Sequence, residues 1–101
     1  MVPTPEDDDM AHRQVSWMVP ADMVFLEFLA AARTAHGEPS VQTPTTIAIN
    51  TGYSNRHASA RCIELVDRGL VERVDEGKYR LTELGERAAA GTMGFDELEK
   101  L

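Results

Sequence analysis

A chain of 101 residues has room for one domain with one modest core, and its 43% hydrophobic content is that of a folded protein rather than a disordered one. No apolar run approaches the roughly 18–20 residues of a membrane span, and the single cysteine, Cys62, excludes an internal disulfide and fits a reducing compartment. The net charge of −7 weighs against a nucleic-acid partner, because phosphate contacts supply most non-specific affinity.

Residues 1–14 read as a disordered acidic arm. They hold two prolines and the run Glu6-Asp7-Asp8-Asp9, and the first ten residues contain no Lys or Arg. The start lacks the basic and apolar regions of a secretory signal, so a cytoplasmic protein is expected. Trp17, the only tryptophan, precedes the first periodic segment and reads as an anchor packed on the domain.

The first helix is predicted from about Pro20 to His36. Pro20 suits the first turn and Asp22 complements the positive helix end. Phe25, Phe28, Leu29 and Ala32 form an inward stripe, and Gly37 is the stop. Glu38-Pro39-Ser40 is loop, and Val41 opens a very short strand. A second helix follows from Thr43, a capping residue with the preorganised Pro44 behind it, and ends at Gly52 with Ile47, Ala48 and Thr51 inward.

Ser54 caps the third helix, with Tyr53 and Ala58 at the two positions of a hydrophobic staple. Ala58, Cys62, Leu65 and Val66 make its buried stripe, and Gly69-Leu70 its stop. Leu70–Val74 and Lys78–Leu81 read as two strands around the turn Asp75-Glu76-Gly77. Thr82 caps a fourth helix that Gly91 stops. Residues 92–101 are expected as a short extension in which Phe95, Leu98 and Leu101 form one apolar stripe against the core or a dimer partner.

The order helix, helix, tight turn, helix, hairpin, helix defines the fold class: mainly α with a small β-hairpin, a winged helix-turn-helix over residues 15–91. The build has a geometric purpose. A major groove is about one helix wide, so a helix standing out from a small core reaches base edges while the preceding helix braces it.

The outward face of the third helix carries Asn55, Arg56, His57, Ser59, Ala60 and Arg61. Arg pairs in bidentate fashion with guanine and Asn with adenine, so Arg56 and Arg61 lead the expected DNA contacts. Asn55, His57 and Ser59 follow, Ala60 permits close approach, and the Ser54 end of the helix can meet a phosphate. Thr43 and Thr45 on the bracing helix and Lys78 and Arg80 at the wing complete the set. No acid occurs from Ser54 through Ile63 in an otherwise acid-rich chain, and Ser54–Arg80 holds six bases against five acids.

At these residues the sequence resembles a family. Tyr53 through Val71 looks like the recognition helix and first strand of haloarchaeal winged-helix proteins related to the halophage phi-H repressor. Lys78-Tyr79-Arg80-Leu81-Thr82-Glu83-Leu84-Gly85 resembles their hairpin-to-helix junction, and Trp17-Met18 before Pro20-Ala21-Asp22 their opening. The resemblance covers about Trp17 to Gly91. It implies sequence-specific binding to double-stranded DNA, transcriptional regulation as a repressor, and a homodimer.

The chain departs from that pattern at Ala60, where a larger polar reader is common, and at Met23 and Val24. With Phe28, Ala31 and Ala35, Val24 would form a second apolar stripe, serving a dimer or covered by the C-terminal segment. Eight Arg against two Lys, with the net acidity, fits a high-salt cytoplasm and equally an acidic protein of a GC-rich genome.

Other chemistries find no support in the residues. His12, His36 and His57 are scattered, Cys62 lies on the buried stripe, and no phosphate-cradling or nucleophile motif is present. Neither an enzyme, a cofactor, a metal nor a small-molecule ligand is expected. The competing reading is a winged helix that binds protein instead of DNA.

Overall fold

Side-chain caps divide the chain into its helices. In the computed structural model, which describes residues 15–101, the elements are α1 (Pro20–Ala31), α2 (Pro44–Thr51), α3 (Asn55–Asp67), β1 (Val71–Asp75), β2 (Lys78–Leu81), α4 (Glu83–Ala89) and α5 (Phe95–Glu99). The expected arm over residues 1–14 lies outside the described residues. The hydroxyl oxygens of Thr43, Ser54 and Thr82 accept from the amides of Thr46, His57 and Gly85 at 3.2, 3.0 and 3.0 Å. Each satisfies an amide that the helix cannot satisfy itself. The stop of α3 is a Schellman turn: Gly69 adopts φ 80°, and the Leu70 amide donates back to the Leu65 carbonyl at 3.0 Å.

β1 and β2 form an antiparallel hairpin that pairs Val71 with Leu81, Glu72 with Arg80 and Arg73 with Tyr79. β1 begins one residue later than predicted because Leu70 is consumed by the helix stop. Gln42 adds a rung, exchanging two 2.8 Å backbone hydrogen bonds with Tyr79, so the short strand expected at Val41 pairs at the next residue. The mixed α+β architecture is that of a winged helix-turn-helix.

The core joins Phe25, Leu26 and Leu29 of α1 to Ile47 of α2 and to Cys62 and Leu65 of α3, all fully buried. At the hairpin-to-helix junction, Gly85 brings α4 against Leu70. A Cβ at that position would stand 2.0 Å from the Leu70 carbonyl oxygen, so only glycine permits the approach.

Two expectations for the first helix are corrected. It ends at Ala31, five residues before His36. The Ser40 amide and hydroxyl both donate to the Ala32 carbonyl at 2.8 Å, and the Thr34 amide donates to Glu38 at 2.7 Å, so the chain turns into a bridged loop instead of another helical turn. Ala35 therefore lies off the helix, and the second apolar stripe does not form. Phe28 packs on the core, and Val24 is left 38% exposed. The buried face includes Ala21, Asp22 and Leu26, none of them in the predicted stripe.

The two ends of the described chain meet. Trp17 Nε1 donates to the Leu98 carbonyl at 2.7 Å, and the Arg68 guanidinium lies 4.8 Å from the Trp17 ring centroid. Leu98 is buried, and Phe95 and Leu101 pack against the core. Among the described residues, no helix is long and apolar enough to cross a membrane.

Candidate nucleic-acid interface

With 100° between successive residues, α3 turns Ala58, Cys62 and Leu65 inward, and all three are fully buried. The opposite stripe is Arg56, Ala60, Ile63 and Asp67, all exposed. Asn55 and Ser59 flank it on one side, His57 and Glu64 on the other. Among the described residues Arg56 makes no ion pair, and its guanidinium stands free at the N-terminal end of the helix.

α2 braces this helix. The Thr45 hydroxyl donates to Asn55 Oδ1 at 3.4 Å, which ties an exposed threonine of one helix to an exposed amide of the next. Thr43 is engaged in its cap and lies 3.1 Å from the Thr46 hydroxyl. Tyr53, in the turn, packs edge-on against Phe25 with ring centroids 5.2 Å apart, and His57 stacks on Tyr53 at 5.5 Å. His57 is thereby only partly exposed and belongs to the turn packing.

Arg61 is the main correction. Expected to project outward, it folds back toward α1. Its Nε and Nη2 donate to Asp22 Oδ1 and Oδ2, both at 2.8 Å, and Nη2 also donates to the Trp17 carbonyl at 3.2 Å. Asp22 is fully buried and also accepts from the Val19 amide at 2.9 Å, capping α1. The hydrogen bond it donates to Asp22 raises the Arg61 pKa above its ordinary value. Position 61 lies about 130° around the helix from the middle of the Arg56, Ala60, Ile63 and Asp67 stripe, beside the buried stripe, which explains the inward turn.

The wing is also redistributed. Arg80 donates from Nε to Glu72 at 2.9 Å and from Nη2 to the same carboxylate, and so belongs to a cross-strand ion pair. Lys78 is exposed. Arg73, absent from the expected set, is exposed and shares with Tyr79 the sheet face that meets α3. Ile63, Val66, Asp67, Arg73 and Tyr79 line a groove of about 330 Å³ between the helix and the hairpin. Among the described residues Arg73 and Lys78, like Arg56, make no ion pair.

Residues 10–101 match the family described as winged helix-turn-helix phage repressor. The chain belongs to that family. It is also similar to the repressor protein of Halobacterium phage phiH, 45% identical over 92 residues that cover 88% of this chain and 98% of the relative. Within this phage-repressor winged helix, two exposed residues of the helix-turn-helix escaped the reading of the sequence. Ile63 is 58% exposed and Ile49, on the outer face of α2 one turn past Thr45, is 77% exposed. The signal for Ile63 was available. It stands seven residues after Arg56 and three after Ala60, on one helical stripe, but a hydrophobic side chain reads by default as core. Among the described residues no group of three or more His, Cys, Asp or Glu is placed to hold a metal ion.

Proposed function

We propose that this chain is a DNA-binding repressor that lays α3 in the major groove of a specific site, with two copies on two half-sites. The observation that carries the reading is Arg56, an exposed guanidinium with no ion pair among the described residues, on the outward stripe of the second helix of a helix-turn-helix. Asn55, Ser59 and Ala60 adjoin it. They supply an amide for adenine, a hydroxyl, and room for close approach. Thr45 and the Ser54 end of α3 stand toward the backbone, and Arg73 and Lys78 serve phosphates from the wing. The family and the relative's designation as a repressor support the same role. Arg61, Arg80 and Thr43 act one step behind, holding the elements that present these groups.

The test is Arg56→Ala, measured by fluorescence anisotropy on DNA from upstream of the gene at about 1–3 M KCl. A lost bidentate pair to guanine weakens binding by roughly ten- to a hundredfold and relaxes the choice of base at one position, with the melting temperature unchanged. Selection of bound duplexes from a random pool should return a palindrome with half-sites about one helical turn apart. A competing role in binding protein draws support from the exposure of Ile49. Wild-type protein that retains a protein partner but binds no duplex would establish that role instead.

A further inference from the structure

The outward stripe of α3 is not uniformly polar. Between Arg56 at one end and Asp67 at the other stand Ala60 and Ile63, and Ile63 leaves 58% of its surface in water. In a major groove, the base edges present hydrogen-bonding groups and small C–H patches, and the one methyl among them is at C5 of thymine. An isoleucine over guanine, cytosine or adenine removes water from a polar edge and returns no hydrogen bond. Over thymine it meets a methyl, and both surfaces leave water together.

We infer that Ala60 and Ile63 read thymine methyl groups, so that the site preference has an apolar half beside the polar half set by Arg56 and Asn55. This rests on the proposed DNA-binding role and specifies which bases that role selects. Two features of the molecule bear on a nucleotide as the occupant. Ile63 rims the groove whose opposite wall carries Arg73, so one groove presents an apolar side chain and a guanidinium that makes no ion pair among the described residues, beside the Asp67 carboxylate that also lines it. A thymidine nucleotide offers the matching pair, a methyl and a phosphate. Asp67, one turn beyond Ile63 on the same stripe, would repel phosphate and limits the docked part of the helix to Arg56–Ile63. That stretch rises about 10 Å, so the guanine read by Arg56 and the thymine read by Ile63 lie within about three base pairs of each other.

The experiment replaces each thymine of the selected duplex in turn by deoxyuridine, which removes only the methyl. Wild-type protein should lose roughly fourfold in affinity at one or two positions per half-site. Ile63→Ala should bind the unmodified duplex about equally more weakly and be insensitive to uracil at one of those positions, with an unchanged melting temperature. The factor should stay constant from 0.5 to 3 M KCl, because an apolar contact is not screened. Binding that weakens with Arg56→Ala but ignores every uracil would overturn the methyl reading and leave the repressor role standing. So would uracil sensitivity that persists unchanged in Ile63→Ala. If Ile63→Ala leaves DNA binding intact and abolishes self-association, the residue belongs to a contact between copies. Failure of the wild type to bind any duplex overturns both readings.

Discussion

The Asp22 carboxylate is fully buried and holds three hydrogen bonds, two from Arg61 and one from the amide of Val19. Removing Arg61 leaves a buried charge without its counterion, which typically costs about 3–5 kcal/mol. Arg61→Ala is therefore expected to lower stability by about 3 kcal/mol in denaturant titration, whereas Arg56→Ala should stay within about 0.5 kcal/mol of wild type. Equal stabilities would show that the pair contributes nothing. Nothing in the sequence joins positions 22 and 61, and an arginine on a helix outside its apolar stripe reads as a surface residue. Cys62 belongs to the same face. Burial pushes its thiol up to about 11, from an ordinary value near 9. The folded state thus favours the neutral thiol, and stability falls as pH rises from about 9 toward 11, by on the order of 2 kcal/mol. Cys62→Ala should remove that part of the alkaline loss in melts taken between pH 8 and 11. An identical pH profile in the variant would assign the loss to other groups.

The capped elements were legible because their signals are local. A hydroxyl three residues before an amide, or a glycine after a helix, is a contact within one turn of chain, and Thr43, Ser54, Gly52 and Gly69 act accordingly. What failed depended on contacts from farther away. The end of α1 is set by Ser40 reaching back eight residues to Ala32. Of the two arginines in the hairpin, Arg73 and not Arg80 is without an ion pair among the described residues, because Glu72 claims Arg80 across the strands. The junction glycine shows the same dependence on neighbours. Gly85 sits within a helix, where glycine is ordinarily unfavourable, and its reason is the Leu70 carbonyl that a Cβ would strike at 2.0 Å. Gly85→Ala must push α4 away from Leu70. It is expected to destabilise by roughly 3 kcal/mol despite the better helix propensity of alanine. A melting temperature at or above wild type would mean that α4 shifts without loss, and that the close approach is not required.

At the scale of the whole molecule, a net charge of −7 has to be reconciled with a duplex of phosphates. Arg33, Arg61, Arg68, Arg80 and Arg87 are bound to carboxylates of the chain itself, so they add little to the field that meets DNA. On the side presented by α3 and the wing, Arg56 serves a base in this scheme, and Arg73 and Lys78 are left for the backbone. Two phosphates neutralised by each copy give a slope of about −2 per protomer in log K against log[KCl], or about −4 for a dimer on its site. That is a shallow dependence, and it suits a protein whose designated relative comes from a Halobacterium phage. In molar salt the Debye length is about 3 Å, so contacts made at van der Waals distance retain their strength while remote attraction is lost. Lys78→Ala should then flatten the slope by about one per protomer and weaken matched and mismatched duplexes alike. Ile63→Ala should leave the slope unchanged. A slope of −8 or steeper for the wild type would require more phosphate contacts than these side chains supply, and would bring basic residues outside the described interface into the complex.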